Sequence, residues 1–100
     1  MSDSKFLKVV YKYPFKVSDC VALALPKGAK LLTIQEQAGV ACAWAIVDPE
    51  ETRRETVVVH VRGTGHPIET YPEQGVGEYF CTFQMSGGAL VFHAFLEAVE

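Results

Sequence analysis

One hundred residues, 49% apolar and 21% charged, are ordinary usage for one globular domain, with chain enough for a single core that buries roughly 60 to 70% of the unfolded surface. Such a composition excludes disorder driven by low hydrophobicity and high charge. The net charge of −3, with all nine Lys and Arg residues lying between Lys5 and Arg62, leaves a basic amino-terminal part and an acidic carboxy-terminal part, a balance that does not favour tight binding to duplex nucleic acid.

Short runs of β-branched, aromatic and apolar residues, separated by Gly, Pro and Asp, read as strands. Lys5 to Tyr13 is the first, closed by Pro14, with the turn formers Ser18 and Asp19 beyond it. Val21 to Leu25 follows, with Val21, Leu23 and Leu25 on one side and alanines opposite. Pro26-Lys27-Gly28 signals a turn, proline setting φ at the second turn position and glycine accepting positive φ after it. Lys30 to Gln37 and Val40 to Val47 are hairpin partners across Ala38-Gly39, and in the second of them Val40, Cys42, Trp44 and Ile46 face away from the alanines.

Asp48-Pro49 ends that strand, and Glu50 to Glu55 forms a polar loop. Thr56 to Arg62 sets Val57, Val59 and Val61 against Val58, His60 and Arg62, which leaves His60 half exposed. Gly63 to Gly77 is irregular and longer than a plain hairpin loop, a length often associated with function or mobility. Tyr79 to Met85, the turn Ser86-Gly87-Gly88 and Ala89 to Phe95 complete the pattern, and Leu96 to Glu100 either extends the last strand or begins a short C-terminal helix. The expectation is a single domain over residues 1–100, all-β and mostly antiparallel: a small sandwich or partly closed barrel of about seven strands.

No catalytic or metal motif stands out. Cys20, Cys42 and Cys81 lie far apart in apolar runs, and an odd count without a signal peptide implies a reducing compartment. His60, His66 and His93 match no zinc-ligand spacing, so neither a metal nor a cofactor is expected. Cys81 and His93 fall on neighbouring predicted strands, but no strained elbow or oxyanion-donor segment accompanies them. The segment with most chemical promise is Arg62, Gly63, Thr64, Gly65 and His66. Two glycines around a threonine permit a concave run of N–H groups for an anion, with Arg62 and His66 supplying charge at its edge. The same letters suit a tight bend leaving a strand, and the segment lacks the Lys-Ser/Thr ending of a P-loop.

Aromatic residues are plentiful, and strands such as Val9-Val10-Tyr11 and Tyr79-Phe80 place apolar groups on both faces. A second sheet, a second copy or a partner protein must cover the second face. No apolar stretch approaches the ~20 residues of a membrane-spanning helix.

Five segments in order, the runs beginning at Leu25 (LPKGAKLL), Trp44 (WAIVDP), Arg62 (RGTGHPIE), Thr82 (TFQ) and Gly87 (GGALVFHAF), together resemble a family of small proteins of unknown function encoded by tailed bacteriophages and prophages. The resemblance runs over nearly the whole chain. It implies an accessory gene product in the cytoplasm of a bacterial host and carries over no catalytic or binding residue. Together with small size, acidity, excess apolar strand surface and the absence of catalytic motifs, this sets the expected function as non-catalytic binding of a host protein, such as a defence or transcription component. The alternative is a homo-oligomeric binder that sequesters a phosphorylated signalling nucleotide at the Gly63 to His66 loop. A hydrolase using His66 comes third.

Overall fold

The structure, a computed structural model, describes residues 7–69 and 75–97. Among these described residues seven strands form two sheets. One contains β1 (Val9–Phe15), β4 (Val40–Val47) and β3 (Lys30–Gln37) in the order β1-β4-β3. The other contains β2 (Cys20–Pro26), β5 (Arg54–Gly63), β7 (Leu90–Leu96) and β6 (Glu78–Met85) in the order β2-β5-β7-β6. Every pairing is antiparallel. Among the described residues no ladder joins the two sheets, which therefore form an open sandwich and not a closed barrel.

Each sheet contributes one face to the core. The four-stranded sheet supplies Val21, Leu23 and Leu25 from β2, Val59 and Val61 from β5, Ala94 from β7 and Phe83 from β6. Against them stand Ile34 of β3 and the small side chains Ala41 and Ala43 of β4. Burying these apolar faces is the dominant gain on folding, about 25 cal/mol for each Å² removed from water. Ala45 and Val47 extend the same inward face of β4. The larger residues of β4, among them Trp44 and Ile46, are turned to the outer face of their sheet, where they are half-buried.

Two prolines sit differently from the sequence expectation. Pro14 lies inside β1, paired with Cys42, so the strand runs on to Phe15 instead of closing at Tyr13. An edge strand tolerates this because the N–H that proline lacks is not needed by a second neighbour. The beginning of the predicted strand, Lys5 and Phe6, lies outside the described residues. Pro26 is the last residue of β2, again an edge strand, and opens the following turn as its first residue instead of its second. The Ala29 N–H donates to the Pro26 carbonyl at 3.0 Å, and Gly28, the third residue, takes a φ of +84° that a side chain would resist. That turn carries the chain from one sheet to the other. By contrast Ala38-Gly39, with φ of 52° and 84°, closes the β3-β4 hairpin as the sequence suggests, in the doubly positive geometry that matches strand twist. The Glu36 carboxylate accepts the Gly39 N–H there at 2.9 Å. At the other end β7 extends to Leu96, and residues 98–100 of the proposed terminal helix lie outside the described residues.

Candidate functional site

The outer face of the four-stranded sheet carries a connected set of polar side chains. Antiparallel register places His60, Phe95 and Tyr79 in one row across β5, β7 and β6, and Arg62, His93 and Thr82 in the next. His93 is bracketed by two hydroxyls. Thr82 Oγ1 lies 3.0 Å from Nδ1 and Thr64 Oγ1 lies 2.8 Å from Nε2, and the Tyr79 hydroxyl reaches Thr82 Oγ1 at 2.8 Å. Beside this chain an ion pair and a histidine–carboxylate contact close over the same face. The Arg62 guanidinium donates to the Asp19 carbonyl at 2.8 Å and to the Glu69 carboxylate at 3.2 Å, and His60 Nε2 stands 3.3 Å from the Glu97 carboxylate. A bond from its own backbone N–H, and then the Arg62 guanidinium, hold the Glu69 carboxyl below the usual carboxylate range.

The segment singled out by sequence divides between two places. Arg62 and Thr64 join the outer-face cluster through Glu69 and His93. Gly63 to His66 forms a four-residue turn, with the His66 N–H donating to the Gly63 carbonyl at 3.0 Å and Gly65 at a φ of +87°. The Thr64 N–H donates to the Val91 carbonyl at 3.1 Å. Two of the amides that an anion would use are thus committed inside the protein, and Arg62 is turned to Asp19 and Glu69. The His66 ring lies over Gly63, where an added Cβ would come within 3.1 Å of it. A hollow of about 270 Å³ remains beside the turn, lined by Gly63, Thr64, His66, Leu90, Val91 and Phe92. Residues 70–74 of the predicted long loop lie outside the described residues.

Tyr79, Thr82 and His93 belong to the cluster although no sequence motif joined them to Thr64. The alternation around His93 puts it opposite buried Ala94 and so on the outer face, a signal that was readable. Tyr79 was hidden by a bulge. The register shifts between Tyr79 and Cys81, which leaves Tyr79 outward beside Phe95 and turns Cys81 inward opposite Ala94. The same bulge separates Cys81 from His93, which face opposite sides of the sheet. Burial pushes the Cys81 thiol up, and its Sγ lies 3.7 Å from the Ile34 carbonyl, so this is a packed thiol and not an activated one. Among the described residues no three His, Cys, Asp or Glu side chains gather to hold a metal ion.

The outer face of the three-stranded sheet has a different chemistry. Val40, Cys42, Trp44 and Ile46 run down its centre, and Val10 and Val40 are 54% and 44% exposed. Lys12 lies beside this row with its Nζ 5.9 Å from the Trp44 ring centroid, in cation–π range, and donates to the Gln37 side-chain oxygen. Lys30 stands opposite Ile46, and Thr33 and Gln35 flank Trp44 and Cys42. The paired positions of this face hold no carboxylate. At one end the face runs into an apolar groove of about 520 Å³, lined by Pro14, Phe15, Lys16, Val17, Val40 and Met85.

The fold and its two faces define an open antiparallel β-sandwich with one polar, internally bonded outer face and one apolar outer face edged by lysine. Residues 7–100 match the family described as domain of unknown function DUF7352, and the chain belongs to that family. No curated protein and no solved structure matches it. Among the described residues no helix is long and apolar enough to cross a membrane.

Proposed function

We propose that this chain is a non-catalytic binding domain that engages another protein through the outer face of the β1-β4-β3 sheet. The observation that carries this reading is the outward turn of Val40, Trp44 and Ile46, a row of large side chains left partly open to water while alanines fill the core beneath. Trp is among the residues that dominate interface energetics, most of all at the centre of a patch with a polar rim. Lys12, Lys30, Gln35 and Gln37 supply that rim. In this reading the chain is an accessory protein of a tailed phage or prophage, acting in the host cytoplasm on a host protein such as a defence or transcription component. The five-segment resemblance supports that setting. Capture from host lysate should recover a stoichiometric partner with the natural chain and lose it with Trp44→Glu, while circular dichroism shows both chains folded. Equal recovery by the two chains, or no partner for the natural one, would count against the reading.

A second reading rests on the hollow beside the Gly63 to His66 turn, lined by Gly63, Thr64 and His66, while the Arg62 guanidinium is held outside that lining by Asp19 and Glu69. There a homo-oligomer would hold a phosphorylated signalling nucleotide through side chains, since the Thr64 and His66 amides are already bonded. Arg62→Ala with His66→Ala should abolish nucleotide retention, and unchanged retention removes this reading.

A further inference from the structure

The groove and the Trp44 face share Pro14 and Val40 and so form one continuous surface. Phe15 and Val17 line the groove from the side of the three-stranded sheet and Met85 from the side of the four-stranded one. Its volume of about 520 Å³ lies within the range of about 300 to 1,000 Å³ typical of pockets that take a compact apolar group. Met85 gives one wall a flexible thioether that adapts to the shape of what enters. At the outward paired positions the charge has one sign, and the Glu36 carboxylate at the groove end is engaged by the Gly39 N–H. Lys12, Lys16 and Lys30 are exposed along the surface, and no carboxylate occupies its outward paired positions.

From this we infer that the partner is an acidic protein segment that places one bulky apolar side chain in the groove while its carboxylates meet Lys12, Lys16 and Lys30. The inference rests on the proposed protein-binding role of this face and names the partner's chemistry. A second copy docking by the same face would set lysine against lysine, which electrostatic complementarity disfavours. A single-stranded nucleic acid would find lysines but, at the outward paired positions, only the Trp44 ring, with Phe15 set apart in the groove and no succession of rings for its bases. Its phosphates would also leave the apolar groove unfilled.

The test is a random-peptide display selection on the full chain, counter-selected against Val40→Glu, a substitution at an exposed position. Enriched peptides are then titrated by calorimetry and by the fluorescence of Trp44, the one tryptophan in the chain, with oligothymidylate as a parallel probe. The expected peptides carry Phe, Leu, Ile or Met among Asp and Glu, bind one to one, and lose about tenfold in affinity in Lys16→Glu and in Lys12→Glu. Basic or neutral peptides, or affinity unchanged by both charge reversals, would overturn the acidic partner. Oligothymidylate that binds more tightly than every enriched peptide would overturn it in favour of nucleic acid. Peptides of another composition that fail to bind Trp44→Glu would leave the face reading standing while removing the acidic partner. The absence of any enrichment would overturn the groove, and the lysate capture with Trp44→Glu decides the face reading by itself.

Discussion

β2 and β4 both alternate alanine with larger apolar residues, yet they present opposite sides to the core. In β2, Val21, Leu23 and Leu25 are buried and Ala22 and Ala24 are exposed. In β4, Ala41, Ala43 and Ala45 are buried, while Val40, Trp44 and Ile46 turn outward. A period of two residues defines two faces without saying which one is dry. Volume settles it. Packed sheets lie about 10 Å apart, and the interior fills to the density of a crystal. Once Leu23, Leu25 and Phe83 occupy the space between the sheets, β4 at Ala41 and Ala43 has room only for small side chains. The outward row of β4 is therefore a consequence of core packing, and it creates the surface for which a binding role is proposed.

Substitutions on the two strands test this contrast directly. Leu25, 1% exposed, should give the largest effect: Leu25→Ala removes packed volume and should lower unfolding stability by about 2 to 5 kcal/mol in urea denaturation. Next comes Ala43→Leu on β4, which forces methylenes into a filled interior and should cost about 1 to 3 kcal/mol. Its counterpart Ala24→Leu on β2 points to solvent and should change stability by no more than about 0.5 kcal/mol. A neutral Ala43→Leu beside a costly Ala24→Leu would invert the comparison. The smallest effect belongs to the connection that carries the chain from β4 to β5. There the Glu51 carboxylate accepts bonds from the Arg53 side chain and backbone N–H, which draw its pKa down from 4.5 to about 2. A depressed carboxyl pKa stabilises the folded state above the ordinary value, and that stabilisation fades as pH falls toward the folded one. Glu51→Gln should therefore melt slightly below the natural chain at pH 7 and together with it near pH 2, the exposed pair being worth little in either case.

Much of the strand plan was legible, because Gly, Pro and Asp punctuate apolar runs at every crossing between strands. Ala38-Gly39 marked the β3-β4 hairpin, and Val57, Val59 and Val61 marked the inward side of β5. The placements that could not be read depended on neighbours distant in sequence. Pro14 looked like a stop because nothing local says that β1 lies on an edge. Pro26 to Ala29 looked like any tight turn, although it transfers the chain between sheets. The polar cluster was half legible. Arg62 and Thr64 stood out beside the glycines, but their link to His93 is a cross-strand contact, and Tyr79 reaches that face only because a bulge breaks the alternation of β6.

Trp44 reports on the outward turn of β4 without interference, because the chain has no other tryptophan. Fluorescence of the dilute, unliganded protein should show an emission maximum shifted to the red of a buried indole and ready quenching by acrylamide, with both reversed when a partner covers the face. A blue, quench-resistant emission from the free monomer would mean that Trp44 faces the interior, and the binding surface derived from its exposure would not exist.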